Sequence, residues 1–383
     1  MLYLNKHILL SKKLHILFLS SWYPNDIKPF IGDFIERHAK AVSTQHNVTV
    51  VHVITDDSIK KKGYKISEDS NIKSILIYLP KTRNKVLNFV SFFRIYLREI
   101  NKIGHFDLIH MNITFPIGIV ALYYKWFKNK KYLISEHWSG YQFPHNKKIG
   151  FLQKKIAQLI VKNADYICPV SKNLQSAMEG FGLKGNYSTV HNVVDTSHFN
   201  TSTKTLKNFT VTHISSMDDD VKNIKGILSA FSIVQNSIPN VKFQLIGENS
   251  EKYEPLVKEL NIKNIELIDQ IPNAEVATYL KKSNVFVLFS NYENLPCVIL
   301  ESFACGVPVI STDVGGIKEY FPNDFGILIE PKKEDSLKNA ILKIYNSEVK
   351  SDKKIMHEYA HNKFGIEAIS NSFSELYHKI LFN

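Results

Sequence analysis

Three cysteines in 383 residues, Cys168, Cys297 and Cys305, form an odd, unclustered set with no C-x-x-C spacing. Such a set argues against a disulfide framework and against a thiolate zinc site, and it suits a reducing cytosol. Long apolar runs are missing as well. The longest mostly apolar stretch, Ile113 to Phe127, is interrupted by Pro116, Gly118 and Lys125 and falls short of the ~20 residues that span a bilayer. Leu14 to Leu19 follows Lys12 and Lys13 and is too short for an ordinary secretory signal, so it is expected to be the first buried strand. No low-complexity tract or short-period repeat is present. The composition, 44% hydrophobic and 22% charged, is that of a globular chain, and the length supports about two domains. Arginine is absent after Arg98.

Acidic residues are scarce in the first half. Residues 1–200 carry a net +15 from Lys, Arg, Asp and Glu, whereas residues 201–383 carry −3. The usual nucleic-acid recognition motifs are missing, so no nucleic-acid partner is expected. An anionic membrane surface or an anionic acceptor is the expected partner of the basic half, and plain solubility is the alternative. Lys81 to Lys102 interleaves Lys81, Arg83, Lys85, Arg94, Arg98 and Lys102 with a broad set of apolar residues, which reads as a basic amphipathic helix. Most of its apolar face is expected to pack on a sheet, with its charged rim and Lys60, Lys61 and Lys62 left for an anionic surface.

Strands alternate with helices along both halves. The first half predicts strands at Leu14–Ser20, Val48–Ile54, Ile75–Leu79, Leu108–Met111, Tyr132–Ser135, Tyr166–Val170 and Ser188–His191. Helices are expected at Phe34–Val42, Lys85–Ile103, Ile117–Phe127 and Leu152–Asn163. The second half predicts strands at Val211–Ser215, Val241–Ile246, Ile265–Ile268, Val285–Phe289 and Val307–Ile310. Its helices are expected at Ile224–Gln235, Tyr253–Leu260 and Ala274–Lys281. Both halves are therefore α/β, with Rossmann-like β/α/β units that require parallel sheets.

Residues 284–320 are the most informative segment. The apolar strand Val285–Phe289 is followed by a polar loop carrying Ser290, Asn291, Glu293 and Asn294. A short helix containing Glu301 comes next, with Pro296 suited to its first turn and Gly306 to the residue past its end. Ligands of such sheets bind beyond the carboxyl ends of strands, against helix N-termini. Glu293 is thus expected at the mouth of a site. Glu301 is placed to accept hydrogen bonds from hydroxyls such as a ribose diol, and the amides near Asn294 and Leu295 to face phosphates. A solvated cap and a surface helix residue are the plainer readings of the two glutamates.

With its paired glutamates, its Ala304-Cys305-Gly306-Val307-Pro308-Val309 run and its Asp313-Val314-Gly315-Gly316 loop, this segment resembles the signature of the retaining glycosyltransferases of family four. The resemblance implies two Rossmann-like domains facing across a cleft, the GT-B arrangement. Residues 1–196 would bind the acceptor and residues 209–364 the nucleotide sugar, joined by a linker at 197–208, with a C-terminal helix in 365–383 crossing back to the first domain. It further implies that Glu293 contacts the transferred sugar, that Glu301 holds the ribose, and that His137 meets the donor sugar. Gly32 would let the backbone approach the donor, at a loop where many members have two glycines. The family's diphosphate clamp is an arginine and a lysine. Here Ser215-Ser216-Met217 stands where the arginine belongs, Lys222 matches the lysine, Lys225 is the runner-up, and Ser216 and Gly247 complete the donor set. Asn192-Val193-Val194-Asp195 resembles the family's N-G-V-D segment with valine in place of glycine, and His110 shares a strand-end position with His137.

Asp218-Asp219-Asp220 resembles a metal-binding D-x-D run, but its place just before a helix favours capping, so no metal cofactor is expected. The implied reaction is transfer of a sugar from a nucleoside diphosphate sugar to a glycan or lipid-linked hydroxyl, in cell-surface polysaccharide assembly. The expected location is the cytoplasm, at the inner face of the membrane. A nucleotide-sugar 2-epimerase and a non-catalytic nucleotide-sugar-binding subunit are the alternatives.

Overall fold

The computed structural model describes residues 12–202 and 206–382; residues 1–11, residues 203–205 of the expected linker, and Asn383 lie outside the described residues. The chain divides into two compact units. One runs to Val193 and takes in the C-terminal segment from Ile366; the other is Val194–Gly365.

The first unit holds a seven-stranded sheet. Its strands are β1 (His15–Ser20), β2 (Asn47–Asp56), β3 (Gly63–Asp69), β4 (Ile72–Pro80), β5 (Leu108–Asn112), β6 (Tyr132–Glu136) and β7 (Tyr166–Pro169), in the order β3-β4-β2-β1-β5-β6-β7. All pairs are parallel except β3 with β4. Connections run one way from β1 to β2 and the other way from β4 to β5, β6 and β7. Because such crossovers are right-handed, the helix Asp33–Ser43 covers one face and the helices Lys85–Ile103, Gly118–Lys128 and Phe151–Asn163 cover the other. The C-terminal helix, Ile366–Phe382, packs beside Asp33–Ser43 and completes that face with Phe373 and Tyr377, both fully buried.

Four sequence expectations change in this unit. Strand β3 is additional to the expected set, because it is an exposed edge whose Tyr64 and Ile66 are its only large apolar residues. The helix Lys172–Gly180, capped by the Ser171 side chain, is additional too. The expected strand Ser188–His191 is not one. The chain meets β7 at a single bridge just before this segment, Ile167 with Tyr187, and Pro169 lacks the N–H that the next bridge needs, although Val190 still donates to the Pro169 carbonyl at 3.1 Å. Finally, Lys85–Ile103 buries only Tyr96, Glu99 and Ile100, while Val86, Leu87, Phe89 and Val90 stay exposed, so most of its apolar surface is not on the sheet.

The second unit is a six-stranded, wholly parallel sheet of β8 (Thr210–Ile214), β9 (Lys242–Ile246), β10 (Ile265–Ile268), β11 (Val285–Leu288), β12 (Val309–Thr312) and β13 (Gly326–Ile329), in the order β10-β9-β8-β11-β12-β13. Strands buried on both faces read as short apolar runs, as β11 does. The core stacks Phe231 on Phe243 with ring centroids 4.0 Å apart. The expected helix Tyr253–Leu260 splits into a 3-10 turn, Ser250–Tyr253, and a short helix, Glu254–Glu259, because Pro255 is tolerated only in a first turn. Within 197–208, Phe199 is buried and His198 bonds the Ala274 carbonyl, so the described part of that segment is packed on the second unit. Pro296 sits one position before its helix, Cys297–Ala304, in extended conformation.

Several histidines are buried and neutral. Burial holds His38, His46, His52 and His213 down to about 4. In the unfolded chain these rings bind protons near pH 6.5, so between about pH 6.5 and 4 the unfolded state is the more protonated and stability falls as pH falls. Urea midpoints should therefore drop steadily from pH 7 to pH 5, with His213→Asn lessening the drop; a midpoint unchanged over that range would show the rings protonate freely in the fold.

Candidate active site

In the second sheet the direction of chain crossing reverses between β8 and β11, which leaves a crevice at the carboxyl ends of these two strands. The loop after β8 is built tightly. His213 bonds through both ring nitrogens, Nδ1 to the Val287 carbonyl at 2.9 Å and Nε2 to Ser215 Oγ at 2.7 Å. A carbonyl only accepts, so Nδ1 carries the proton and Ser215 donates to Nε2. Ser215 Oγ also accepts the Met217 N–H at 3.1 Å, and Met217 adopts a left-handed φ of 58°. The Ser215 hydroxyl is thus spent inside the loop, whereas Ser216 is exposed. A β-carbon on Gly247 would come within 1.9 Å of the Ser215 carbonyl oxygen, so glycine is needed for the end of β9 to press against this loop.

The next turn supplies a cation. Asp218 caps the one-turn helix Asp219–Lys222 by accepting from the Asp220 N–H at 3.1 Å, and Asp219 accepts the Lys225 N–H at 2.9 Å. Asp218 and Asp219 thus serve helix starts, with Asp220 in the first turn; among the described residues no cluster of three or more metal-ligating side chains occurs. Asn291 fastens this turn to the loop after β11, donating its backbone N–H to the Val221 carbonyl at 2.7 Å and its side-chain amide to the Asp220 carbonyl at 3.0 Å. Held this way, Lys222 forms an ion pair with Glu293 Oε1, which also accepts from Ser290 Oγ at 2.7 Å. Lys222 is 15% exposed and Glu293 9%, whereas Lys225 is 70% exposed and pairs with Asp219, at 3.6 Å. The structure therefore brings Lys222, not Lys225, to Glu293.

Behind Glu293 lies the Asp313–Gly316 loop. Gly315, at φ 61°, has no room for a β-carbon, which would fall 1.8 Å from the Glu293 carbonyl oxygen, and Gly316 donates to the Asn294 carbonyl at 2.9 Å. Asn294 and Leu295 lead from there into Cys297–Ala304. Glu301, in that helix, is 2% exposed and accepts from Asn273 Nδ2 at 2.9 Å. Lys252 Nζ donates to the Met217 carbonyl at 2.8 Å, which places a second ammonium group beside the loop where an arginine was expected.

The first unit has its own crossing reversal, between β1 and β5. Gly32, at φ 72°, precedes Asp33–Ser43, and a β-carbon there would lie 2.8 Å from the Trp22 backbone, so the close approach is to this unit's own first loop. At the end of β5, Ile113 holds a left-handed φ of 66°, a strained state for a β-branched residue. The adjoining Thr114 donates both its N–H, at 2.9 Å, and its hydroxyl, at 2.7 Å, to Glu136 Oε2. Glu136 Oε1 accepts from the His137 and Trp138 amides at 3.0 and 2.9 Å. Burial raises the Glu136 carboxyl pKa despite these bonds. His137 lies tilted against Phe34, with ring centroids 4.5 Å apart, and meets Asn192 Oδ1 at 3.2 Å; burial and the neighbouring His38 hold its pKa well below its ordinary value. His110, by contrast, is a core residue, bonded to Tyr377 at 2.6 Å and Ser135 at 2.7 Å. Val193 and Val194 are buried and absent from the residues with positive φ, so the valines replace the glycine without a left-handed turn.

Sequence reading missed Glu136, His213, Asn273 and Lys252, each of which has at least one partner distant in the chain. Gly315 was visible only as part of its motif.

The matched families agree with this geometry. Residues 32–198 match the model described as Glycosyltransferase Family 4, and residues 195–363 match Glycosyl transferases group 1. The chain belongs to glycosyltransferase family four, is a glycosyltransferase, and has the GT-B fold. An uncharacterized glycosyltransferase of Methanocaldococcus jannaschii is 26% identical over 85% of this chain and 88% of its own. The N-acetylgalactosamine-N,N'-diacetylbacillosaminyl-diphospho-undecaprenol 4-alpha-N-acetylgalactosaminyltransferase of Campylobacter jejuni is 27% identical over 57% of this chain and 61% of its own. The structure of Anabaena HepE in complex with UDP-glucose shares the fold, with a TM-score of 0.72 at 16% identity over 95% of this chain and 99% of that one.

Lys222→Ala should lower kcat/KM by ~10–100-fold, the scale of one charge-assisted hydrogen bond, while Lys225→Ala stays near wild type. Steady-state kinetics with a donor sugar decides between them, and the reverse ranking would move the clamp to Lys225.

Proposed function

We propose that the protein transfers a sugar, with retention of anomeric configuration and without a metal, from a nucleoside diphosphate sugar to a hydroxyl of a lipid-linked or polysaccharide acceptor. The observation that carries this reading is the Lys222–Glu293 pair at the carboxyl ends of β8 and β11. A largely buried ammonium group beside a carboxylate offers one group for diphosphate oxygens and one for sugar hydroxyls. Glu301, steadied by Asn273, is assigned to the ribose, and Asn294, Leu295, Ser216 and Gly247 to the walls of the donor site. Gly32 and His137 are assigned to the reaction on the first unit's side, with His137 neutral and thus able to accept or donate a hydrogen bond at working pH.

In the reaction the anomeric carbon's bond to the phosphate oxygen breaks, its bond to the acceptor oxygen forms, and the acceptor's proton leaves with the nucleoside diphosphate. Lys222 stabilises the charge that develops on that leaving group, the task a divalent ion would otherwise perform. Glu293 is given to binding and orientation, not to nucleophilic attack. The HepE complex contains UDP-glucose, and the name of the Campylobacter relative specifies a diphospho-undecaprenol acceptor, which supports a nucleotide sugar and a lipid-linked glycan as the two substrates. The enzyme is placed at the inner face of a membrane as a peripheral protein; no helix among the described residues is long and apolar enough to cross a membrane.

Incubating the purified protein with a panel of nucleotide sugars and an undecaprenyl diphosphate-linked glycan should release nucleoside diphosphate and give an anomerically retained product by NMR. Excess chelator should leave that rate nearly unchanged; activity abolished by chelator and restored by manganese would return Asp218 and Asp220 to a metal role. An altered sugar without transfer would mark an epimerase, and binding without turnover a sensor subunit. Glu293→Ala should reduce turnover by orders of magnitude while the protein still folds, with a lowered unfolding midpoint because the largely buried Lys222 ammonium loses its partner.

A further inference from the structure

The helices Lys85–Ile103, Gly118–Lys128 and Phe151–Asn163 lie side by side on one face of the first sheet. Their inner sides are complete: Tyr96 and Ile100, Val120 and Ala121, and Ile160 and Val161 are buried. Their outer sides are not polar. Of the sixteen exposed large apolar side chains among the described residues, nine lie on these three helices, and Val86, Phe127, Phe151 and Leu152 are each between 68% and 77% exposed. The rings are linked across the helices. Phe93 meets Tyr123 at 5.7 Å, Tyr123 meets Phe127 at 5.1 Å, and the Trp126 indole donates to Asn163 on the third helix at 3.2 Å.

Charge on this face has one sign. Gly118–Lys128 and Phe151–Asn163 contain no acidic residue, and the single one on Lys85–Ile103, Glu99, is buried. Lys85, Arg94, Lys128, Lys155 and Lys162 are exposed among the apolar side chains. The helices on the opposite face of the sheet carry Asp33, Glu36, Glu367 and Glu375 and bury their apolar sides against each other. Surplus apolar surface on a single-domain face marks a contact site, and its pairing with unopposed lysines fits an interface that is negative at its surface and apolar beneath.

We propose that these three helices together form a docking surface for an anionic lipid bilayer, with Phe127, Phe151, Leu152 and Val86 entering the headgroup and upper acyl region and the lysines and arginines pairing with lipid phosphates. Its usefulness rests on the reading above that the acceptor is membrane-linked; its physics does not. A second copy of the chain is a poor occupant, because two faces of like charge would oppose each other. A soluble polyanion would leave the aromatic side chains uncovered.

The test is co-sedimentation of the full-length protein with vesicles of phosphatidylcholine alone or with phosphatidylglycerol. Wild type should bind the anionic vesicles at low salt, release at high salt, and ignore the neutral ones. Phe127→Ser with Phe151→Ser and Leu152→Ser should weaken binding about tenfold or more, as should Lys128→Glu with Lys155→Glu. Donor hydrolysis without acceptor should be unchanged in both variants, which shows them folded. Absence of wild-type binding to anionic vesicles, variants that bind like wild type, or a wild-type dimer that the serine variant converts to monomer would each overturn the proposal. Vesicle binding lost in both variants, in an enzyme that uses only a water-soluble glycan, would sustain the docking surface and refute the lipid-linked acceptor instead.

Discussion

Much of this molecule follows from a constraint on parallel sheets. Parallel strands need crossovers, crossovers are right-handed, and a sheet covered on both faces must therefore reverse its direction of crossing once. Each unit does so, between β1 and β5 and between β8 and β11. At a reversal the two connections leave toward opposite faces, and the strand ends stay open. Both openings carry backbone strain in non-glycine residues, Ile113 in one and Met217 in the other. Such conformations persist only where surrounding bonds over-determine them. Here those bonds come from Ser135 and Glu136 in one case, and from Ser215, Lys252 and Tyr253 in the other.

Two buried carboxylates show different solutions to the same problem. Glu136 is surrounded by four donors and no cation, so its hydrogen bonds offset burial only in part and its carboxyl pKa stays raised. That suits a residue fixing backbone at the ends of β5 and β6. Glu293 has a hydroxyl and an ammonium partner, and the ammonium belongs to a turn held by Asn291 and a cap. A pair of that kind can exchange its partner for a ligand's charge or hydroxyl, which four backbone and hydroxyl bonds cannot do as readily.

Local signals made the strands, most helices and the paired glutamates legible, since a buried parallel strand is a short apolar run and Gly306 and Gly315 mark turns wherever they occur. The motif already favoured Lys222 over Lys225, but the tether from Asn291 to Asp220, 71 residues apart in the chain, that holds the Lys222 turn in place is encoded in no local pattern. Glu136 stands beside His137 in the chain with no pattern to mark it, yet its four hydrogen bonds shape the loop. Ser188–His191 had the composition of a strand but met a proline without a donor. In Lys85–Ile103 the periodicity was real, yet periodicity gives the width of an apolar face and not what covers it.

The most direct measurement is a crystal structure of the protein soaked with a nucleoside diphosphate. The account predicts diphosphate oxygens within hydrogen-bond distance of Lys222 Nζ and ribose hydroxyls on the Glu301 carboxylate. A nucleotide bound away from the β8 and β11 ends, with the Lys222–Glu293 pair undisturbed, would contradict it.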